Sequence, residues 1–251
     1  MAIHQLLESL AGLKLTGMKQ ALYLQQSQPA EAELTFDERL SRLVDAELHY
    51  RAQKRQDRLL RLAKLKHSTA CVEDVDYQAF RGIDRAYFKT LTTCQWITYH
   101  HHLLLTGPTG VGKTWLSCAL AQQAVRLGMP VLFKRFPLLC EELDIAKRDG
   151  SLPKLRQQLT KAKLLVLDDW GATPMPAHAR YEFFELVEAR SGTGSMLVTS
   201  QYPIDRWHEY IGEPTIADAI MDRLIHRSHR LELHGESLRK TYSKVEGQHH
   251  E

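Results

Sequence analysis

The chain has 251 residues, enough for one domain of ordinary size together with a smaller one. Its hydrophobic fraction of 43% and charged fraction of 25% are those of a globular protein and exclude a disordered or collagen-like chain. No apolar run approaches the ~18 residues of a membrane-spanning helix, and the net charge of +3 does not identify a partner by itself.

The cysteine pattern indicates the redox environment. The four cysteines are Cys71, Cys94, Cys118 and Cys140. They are widely spaced, without a Cys-x-x-Cys pair, and the N-terminus lacks the charged-then-apolar pattern of a signal peptide. These features predict reduced, structural thiols in a cytoplasmic protein.

Helical patterns begin the chain. Apolar residues at helical spacing within residues 1–26, interrupted by Gly12 and Gly17, predict two short helices. A longer helix is predicted from about Thr35, because Thr35 and Glu38 match a capping box. The apolar residues on one face of that helix are Phe36, Leu40, Leu43, Val44 and Leu48. We expect this face to pack within a small helical bundle.

The long helix becomes basic in its second half. Over residues 51–66, seven basic residues and the single Asp57 give a net charge of +6. Such a run is most often a solvated face, but one sign of charge on a narrow arc also fits the phosphate backbone of DNA. The candidate DNA contacts here are Arg51, Lys54, Arg55, Arg58 and Arg61.

Residues 67–101 have the pattern of a connector. A helix from about Asp84 to Thr98 would place four large side chains on its buried side: Tyr87, Phe88, Leu91 and Trp96. The three histidines at 100–102 do not share a helix face, and no cysteine or carboxylate is spaced to complete a metal site. We therefore expect no metal centre there.

The stretch from Leu103 to Thr114 joins an apolar strand to a complete phosphate-loop pattern. The predicted nucleotide-binding residues are Gly107, Pro108, Thr109, Gly110, Val111, Gly112, Lys113, Thr114 and Trp115. The glycines let successive N–H groups turn toward a phosphate chain, and the next helix offers its positive end. Lys113 can reach the β- and γ-phosphates, and the Thr114 hydroxyl can ligate Mg²⁺. ATP and Mg²⁺ are thus the expected cofactors.

Strand and helix patterns alternate after residue 103, as a parallel sheet with crossover helices requires. Four further strands are predicted at 131–133, 164–167, 196–199 and 230–233. After the third strand, Asp168 would hold Mg²⁺ and Asp169 would orient or deprotonate the attacking water. Ser200 and Gln201 could contact the γ-phosphate, or simply form a turn before Pro203.

Two arginines late in the chain complete the candidate catalytic residues. Arg223 and Arg239 could each neutralise charge in the transition state of phosphoryl transfer. From composition alone, a surface salt bridge is the alternative for both.

These motifs together resemble the AAA+ ATPases of the helicase-loader and initiator clade. The matching stretches are 107–114, 164–169, 198–201, 221–223 and 235–239. The N-terminal pattern from Phe36 through the basic tract, with Tyr99 to Leu105, resembles more closely the IstB family of insertion-sequence transposition helpers. The resemblance covers residues 10–242.

The resemblance implies roles for individual residues. Lys113, Thr114 and Asp168 would bind Mg-ATP, while Asp169 and Gln201 stand where relatives usually have Glu and Asn. Arg223 would enter the ATP site of a neighbouring subunit, which implies a homo-oligomer. Arg239 would be the second sensor. The segment between the second and third strands would face nucleic acid, and the basic residues it holds include Lys134, Arg135, Lys147, Arg148, Lys154 and Arg156.

The predicted fold class is α/β: an AAA+ parallel sheet flanked by helices, with a small all-α N-terminal domain. The predicted domains are a DNA- or partner-binding N-terminal domain (1–66), a connector (67–101), the ATPase domain (102–242) and a flexible tail (243–251). The expected function is an ATPase that assembles on duplex DNA, selects or bends a target and engages a transposase, with no membrane partner. The alternatives are a replicative helicase loader, a P-loop small-molecule kinase, and a binding module that uses ATP only to fix its assembly.

Overall fold

The computed structural model describes residues 3–27, 33–77 and 82–238. Arg239 and the predicted tail, 243–251, lie outside the described residues. The chain divides into two compact units, residues 1–58 and 59–251, and each is described by itself. Leu59 and Ala63, in the last turns of a long helix, belong to the core of the second unit.

The N-terminal unit contains two short helices and most of a long one. Helices α1 (Ile3–Gly12) and α2 (Thr16–Ser27) confirm the prediction of two short helices, and α3 spans Phe36–Ala63. The capping box is also confirmed: the Thr35 N–H donates to Glu38 Oε2 at 2.8 Å, and the Glu38 N–H donates to Thr35 Oγ1 at 3.3 Å. The Thr35 hydroxyl also donates to Glu38 Oε2, at 2.8 Å, and the hydrogen bonds from the Thr35 N–H and hydroxyl lower the pKa of Glu38.

A buried carboxylate joins α2 to α3. Glu47 accepts hydrogen bonds from the Gly17 N–H at 2.7 Å and the Met18 N–H at 3.2 Å, both in the first turn of α2. A Cβ on Gly17 would lie 2.5 Å from the Ala46 carbonyl oxygen, so this close approach requires glycine. Desolvation raises the pKa of Glu47, but its hydrogen bonds from Arg51, Met18 and Gly17 together lower it. The α2-facing side of α3 is therefore centred on Glu47.

The prediction that the apolar face of α3 packs within a bundle was wrong for most of its residues. Only Leu43 is half-buried, whereas Phe36, Leu40, Val44 and Leu48 are exposed. α2 contacts the side of α3 that carries Glu47, so it does not cover the apolar face.

The connector forms two helices where one was predicted. Helix α4 spans Arg85–Thr92 and α5 spans Gln95–Thr98, because Cys94 adopts a left-handed conformation, φ 55°, between them. Asp84 caps α4 by accepting a hydrogen bond from the Tyr87 N–H at 2.7 Å. Phe88, Leu91 and Trp96 are buried, as predicted.

A five-stranded, all-parallel sheet forms the centre of the second unit. Its strands are β1 (His102–Thr106), β2 (Val131–Arg135), β3 (Leu164–Trp170), β4 (Ser195–Ser200) and β5 (Ser228–Glu232). The order across the sheet is β2-β3-β4-β1-β5, which confirms the predicted α/β class.

Helices cover both faces of this sheet. They are α6 (Lys113–Arg126), α7 (Phe136–Asp149), α8 (Leu152–Lys161), α9 (Ala177–Arg190), α10 (Trp207–Ile211) and α11 (Pro214–His226). Successive β1 side chains enter opposite cores: Leu103 and Leu105 pack in the core that contains α6, and Leu104 packs in the core that contains α7, α9 and α11. The carboxyl ends of β1, β3 and β4 therefore meet at one edge of a sheet buried on both faces.

A buried arginine joins the opposite ends of these strands. The Arg190 guanidinium donates to the carbonyls of Leu159 at 2.7 Å, Ala162 at 2.9 Å and Ser195 at 2.6 Å. Burial lowers its pKa to about 10, so it remains a cation at neutral pH. Through these hydrogen bonds Arg190 connects the amino-terminal ends of β3 and β4. It thereby helps to position the carboxyl ends of the same two strands.

Packing accounts for the last histidine of the run at residues 100–102. His102 is buried and its Nδ1 accepts a hydrogen bond from the Met196 N–H at 3.1 Å. Burial lowers the pKa of His102 to about 4, so the ring is neutral at physiological pH.

Among the helices in the described part of the chain, none is long and apolar enough to cross a membrane.

Candidate nucleotide-binding site

The predicted phosphate loop lies between β1 and α6. Gly107, Gly110 and Gly112 have φ values of 141°, 88° and 94°, which residues with a Cβ rarely adopt. A Cβ on Gly107 would lie 2.2 Å from the Leu233 carbonyl oxygen, and one on Gly110 would lie 2.1 Å from Ser237 Oγ. The loop needs glycine for its conformation and for the close approach of the segment that follows β5.

Lys113 is the first residue of α6 and reaches back over the loop. Its Nζ donates to the carbonyls of Gly107 and Pro108, each at 2.7 Å. Desolvation lowers the pKa of Lys113, and the nearby charges of Asp168 and Asp169 oppose that effect. An ammonium group thus lies beside the free N–H groups at the start of α6, where an anion is favoured.

Thr114 connects the loop to the end of β3. Its hydroxyl donates to Asp168 Oδ1 at 2.8 Å, and Thr199 on β4 donates to the same oxygen at 2.7 Å. Desolvation raises the pKa of the fully buried Asp168, while the two hydroxyl contacts lower it. Thr199 was missed in the sequence, where it reads as an ordinary strand residue.

Asp169 is held in an unusual conformation and has a basic partner. Its φ is 64°, and the β3–β4 pairing shifts register between Leu167 and Trp170. Its N–H donates to Thr199 Oγ1 at 3.2 Å. Its Oδ2 accepts from Arg135 Nε at 3.0 Å and Nη2 at 2.9 Å. The predicted water-activating carboxylate is therefore paired with a predicted DNA contact at the end of β2.

The end of β4 also lies against the phosphate loop. Gln201 Oε1 accepts a hydrogen bond from Thr109 Oγ1 at 2.7 Å. The neighbouring Ser200 hydroxyl donates to the Trp170 carbonyl at 2.9 Å and accepts from the Tyr202 N–H at 3.0 Å. Gln201 therefore faces the loop, while Ser200 stabilises the turn.

Several of these groups line a common cavity of about 540 Å³. The predicted site residues that line it are Thr109, Gly110, Gly112, Lys113, Thr114, Trp115, Asp169 and Gln201. The connector adds three residues that the sequence did not identify, namely His67, Asp74 and Asp76. No local motif distinguishes them, because their place in the site depends on the path of the chain before β1.

The residues of this cavity fit Mg-ATP. The glycine loop, Lys113 and the start of α6 form an anion-binding cradle of the kind that holds a phosphate chain. The Thr114 hydroxyl and the Asp168 carboxylate supply the hard oxygen donors that Mg²⁺ prefers.

The two predicted late arginines have different positions. Arg223, in the last turn of α11, forms an ion pair with Glu188 on α9 and donates from Nη1 to the Ala219 carbonyl at 2.9 Å. It is not among the residues that line the cavity of its own chain. Arg239 is outside the described residues, but the preceding Leu238 donates its N–H to the Gly110 carbonyl at 3.0 Å.

The basic residues predicted to contact DNA differ in their contacts with other side chains. The five on α3 are all exposed; Arg51 donates from Nε to Glu47 at 2.7 Å, and Lys54 lies over the Tyr50 ring. From the end of β2 through α8, four cations face carboxylates: Lys134 with Glu142, Arg135 with Asp169, Arg148 with Asp144, and Arg156 with Glu182. Lys147 is exposed on α7. The α3 tract is thus the more strongly basic of the two predicted surfaces.

The fold and the site together define a class of protein. A parallel sheet in the order β2-β3-β4-β1-β5, with a phosphate loop after β1 and an acidic pair near the end of β3, is that of an AAA+-type P-loop protein. The family described as IstB-like ATP binding protein matches residues 8–245. The chain belongs to this family.

Individual relatives agree with this assignment. The chain is 44% identical over 240 residues to an insertion sequence ATP-binding protein, y4pL, of Sinorhizobium fredii, covering 96% of this chain and 98% of that protein. It is 46% identical over 203 residues to the ATP-binding protein named for insertion sequence IS1162 of Pseudomonas fluorescens, covering 81% and 88%. Its identity to the IS21 ATP-binding protein of Pseudomonas aeruginosa is 33% over 237 residues, covering 94% and 89%.

Solved structures show the same fold at low sequence identity. DnaI superposes with a TM-score of 0.56 at 23% identity, covering 70% of this chain and 93% of DnaI. The DnaC helicase loader gives 0.53 at 18% identity, covering 65% and 96%. AMPPCP-bound DnaA from Aquifex aeolicus gives 0.55 at 15% identity, covering 72% and 55%. These likenesses concern the fold alone.

Proposed function

We propose that this chain is an ATP-hydrolysing regulator of transposition that assembles on duplex DNA, selects or bends a target and engages a transposase. Family membership supports the link to insertion sequences, since the relatives are named as insertion sequence ATP-binding proteins. The observation that carries the proposal is the Thr114–Asp168 contact, 2.8 Å, which brings the phosphate loop and the acidic strand end to one point. We propose a cytoplasmic location, because the proposed ligands, ATP and duplex DNA, are available there.

In the proposed bound state, the phosphate loop and Lys113 bind the triphosphate. Thr114 and Asp168 would hold Mg²⁺, which supplies charge neutralisation at the phosphates. Trp115, His67, Asp74 and Asp76 line the same cavity, and we propose that they contact the nucleoside.

Hydrolysis needs a group that orients the attacking water, and we assign this role to Asp169. Its carboxylate must first separate from Arg135, to which it is bound at 2.9 Å. Gln201, which contacts Thr109 in the loop, would position the water or sense the γ-phosphate. In this scheme Arg135 competes with the water for Asp169.

The transition state also needs a cation beside the γ-phosphate. We assign this role to Arg223 acting on the site of a neighbouring subunit, and we assign Arg239 to the chain's own site. The support for the first assignment is the position of Arg223 on α11, away from the cavity of its own chain. ATP hydrolysis would then require a homo-oligomer.

DNA binding is proposed to rest on the exposed basic half of α3, with the segment between β2 and β3 as a second surface. The contacts would be to phosphates, so binding is expected to depend strongly on salt and weakly on sequence. Arg135 belongs to the second surface and also contacts Asp169. DNA phosphates that attract Arg135 would release Asp169 and so stimulate hydrolysis.

The second candidate is a replicative helicase loader. The fold likeness to DnaI and to the DnaC helicase loader favours it. A loader would act on a helicase ring and prefer single-stranded DNA. Competition between duplex and single-stranded DNA of equal length distinguishes the two candidates, and the transposition proposal requires the duplex to win.

The direct test is assembly on plasmid DNA viewed by negative-stain microscopy. The wild-type protein should form particles on DNA with Mg-ATP, and Lys113→Ala should not, because it lacks the charge that offsets the β- and γ-phosphates. A matched control is Lys89→Ala, which removes an exposed lysine of α4, outside both proposed DNA surfaces. Tight binding of labelled ATP by Lys113→Ala would contradict the proposed site.

A further inference from the structure

Two carboxylates near the end of β3 lie opposite a single residue of β4. The pairing of these strands is regular up to Leu167 and resumes at Trp170. Between these two positions β3 has Asp168 and Asp169, whereas β4 has only Thr199. Two residues opposite one is the arrangement of a β-bulge, which is found next to active sites where it redirects a side chain.

The bulge changes the direction of the side chains that follow it. In a regular strand successive side chains alternate between the two faces, so residues three apart lie on opposite faces. Leu167 and Trp170 instead pack in the same core, the one that contains α7, α9 and α11. Regular alternation would also direct Asp169 into that core beside Leu167. With the bulge, and with a left-handed φ of 64°, Asp169 lines the nucleotide cavity.

The Thr199 hydroxyl makes one hydrogen bond to each carboxylate residue. It donates to Asp168 Oδ1 at 2.7 Å and accepts from the Asp169 N–H at 3.2 Å. A hydroxyl has one proton to donate and lone pairs to accept with, so both contacts are made at once. The Thr199 side chain is buried, and water therefore does not compete for either hydrogen bond.

The hydrogen bond to the Asp169 N–H serves the bulge itself. A bulge leaves its extra residue outside the regular ladder, and a buried N–H group is costly without a partner. Thr199 supplies that partner for Asp169. On the other side of the bulge, the Ser200 hydroxyl donates to the Trp170 carbonyl at 2.9 Å. Two neighbouring hydroxyls of β4 thus hold the bulge of β3.

We propose that Thr199 is a positioning residue for ATP hydrolysis, because its hydroxyl holds the bulge that directs Asp169 toward the attacking water. The inference rests on the proposed role of Asp169. Arg135 contacts the carboxylate of Asp169, whereas Thr199 contacts its backbone. Loss of the Arg135 contact would free the carboxylate, but loss of the Thr199 contact would misplace it. The two changes should therefore alter the hydrolysis rate in opposite directions.

The first test replaces the hydroxyl by a methyl group in Thr199→Val. Turnover should fall by ~10²-fold, the cost of a catalytic group misplaced by about 1 Å. The affinity for labelled ATP should stay close to that of the wild type, because the phosphate loop and Lys113 are unchanged. Thr199→Ser keeps the hydroxyl and should restore most of the rate. The control is Thr193→Val, which removes an exposed hydroxyl that donates to the Ala189 carbonyl at 3.0 Å.

The second test combines Thr199→Val with Asp169→Asn. If Thr199 acts through Asp169, the double variant should turn over no more slowly than Asp169→Asn alone, since the two changes then remove the same function. A role of Thr199 through Asp168 alone would instead lower the rate further. It would also raise the Mg²⁺ concentration needed for ATP binding.

Thermal unfolding shows whether Thr199→Val is folded. If it is not, Thr199→Cys takes its place in both tests, because a thiol is only a weak donor and a weak acceptor. Three results would overturn the proposal: wild-type turnover by the variant without the hydroxyl, no recovery in Thr199→Ser, or a further loss of rate in the Asp169→Asn background. In each case hydrolysis by the wild-type chain would leave the proposed function intact. A wild-type chain that binds ATP without hydrolysing it would overturn both.

Discussion

At the scale of single residues, Arg135 links the proposed ATP site to the proposed DNA surface. Its guanidinium binds Asp169 Oδ2 at 2.9 Å and 3.0 Å, so it holds the carboxylate assigned to the attacking water. The left-handed φ of Asp169, 64°, shows that the surrounding contacts fix this residue in a strained conformation. Removing the arginine should therefore free the carboxylate without moving its backbone.

We expect Arg135→Ala to raise basal ATP hydrolysis several-fold and to reduce its further stimulation by DNA. The reason is that Asp169 would no longer need DNA phosphates to draw its partner away. The measurement is the steady-state rate with and without duplex DNA. Arg206→Ala, which removes an ion pair with Glu209 outside both proposed DNA surfaces, is the control. An unchanged basal rate would show that the Arg135 pair does not restrain hydrolysis.

We expect Asp169→Asn to retain ATP and Mg²⁺ but to lower the turnover rate by ~10²-fold or more, because an amide cannot accept the proton of the water. DNA assemblies formed with ATP should then dissociate slowly. Single-turnover hydrolysis and nucleotide binding are measured on the same preparation, with Asp144→Asn as the control. Wild-type turnover by Asp169→Asn would assign water activation to another residue.

At the scale of elements, the sequence predicted the strands, the phosphate loop and the α3 capping box, because each depends on a local pattern. It did not predict the break at Cys94 or the exposure of Leu40, Val44 and Leu48. Those outcomes depend on which neighbouring element contacts a helix, and a helical period does not contain that information.

The same distinction holds within the candidate site. Lys113, Thr114 and Asp168 belong to motifs and were found. Thr199 was not found, because a threonine in a buried strand is usual and its contact with Asp168 arises only from strand order. Arg190 was missed for a related reason: its carbonyl partners come from two separate segments, the end of α8 and the start of β4. Tertiary contacts of this kind have no sequence period.

The basic half of α3 gives a prediction at this scale. Replacing Arg58 and Arg61 together by Ala should weaken binding to unrelated duplex sequences about equally. The slope of log affinity against log salt should decrease by roughly one for each lost phosphate contact. Lys89 and Arg227, exposed basic residues of the second unit that lie outside both proposed DNA surfaces, provide a control pair of equal charge. An unchanged slope would mean that this half of α3 is a solvated face.

At the scale of the whole molecule, the central claim is that the ATP site is completed by another copy of the chain. Arg223 is held in its own chain by Glu188 and by the Ala219 carbonyl, and its guanidinium lies 5.8 Å from the centre of the Phe184 ring. These contacts hold the side chain against α9 and α11, and it is not among the residues that line the cavity of its own chain. A guanidinium so placed is suited to a neighbour's γ-phosphate.

The most direct test of this claim mixes two inactive variants. Arg223→Ala keeps a complete Lys113 site, and Lys113→Ala keeps the arginine, so some interfaces in a mixed assembly would be complete. Each variant alone should lack DNA-stimulated ATP hydrolysis, and Arg223→Ala should still bind ATP. Combining them should restore part of the hydrolysis rate. If the mixture stays as inactive as its components while the two proteins are shown to co-assemble, Arg223 does not act across the subunit interface.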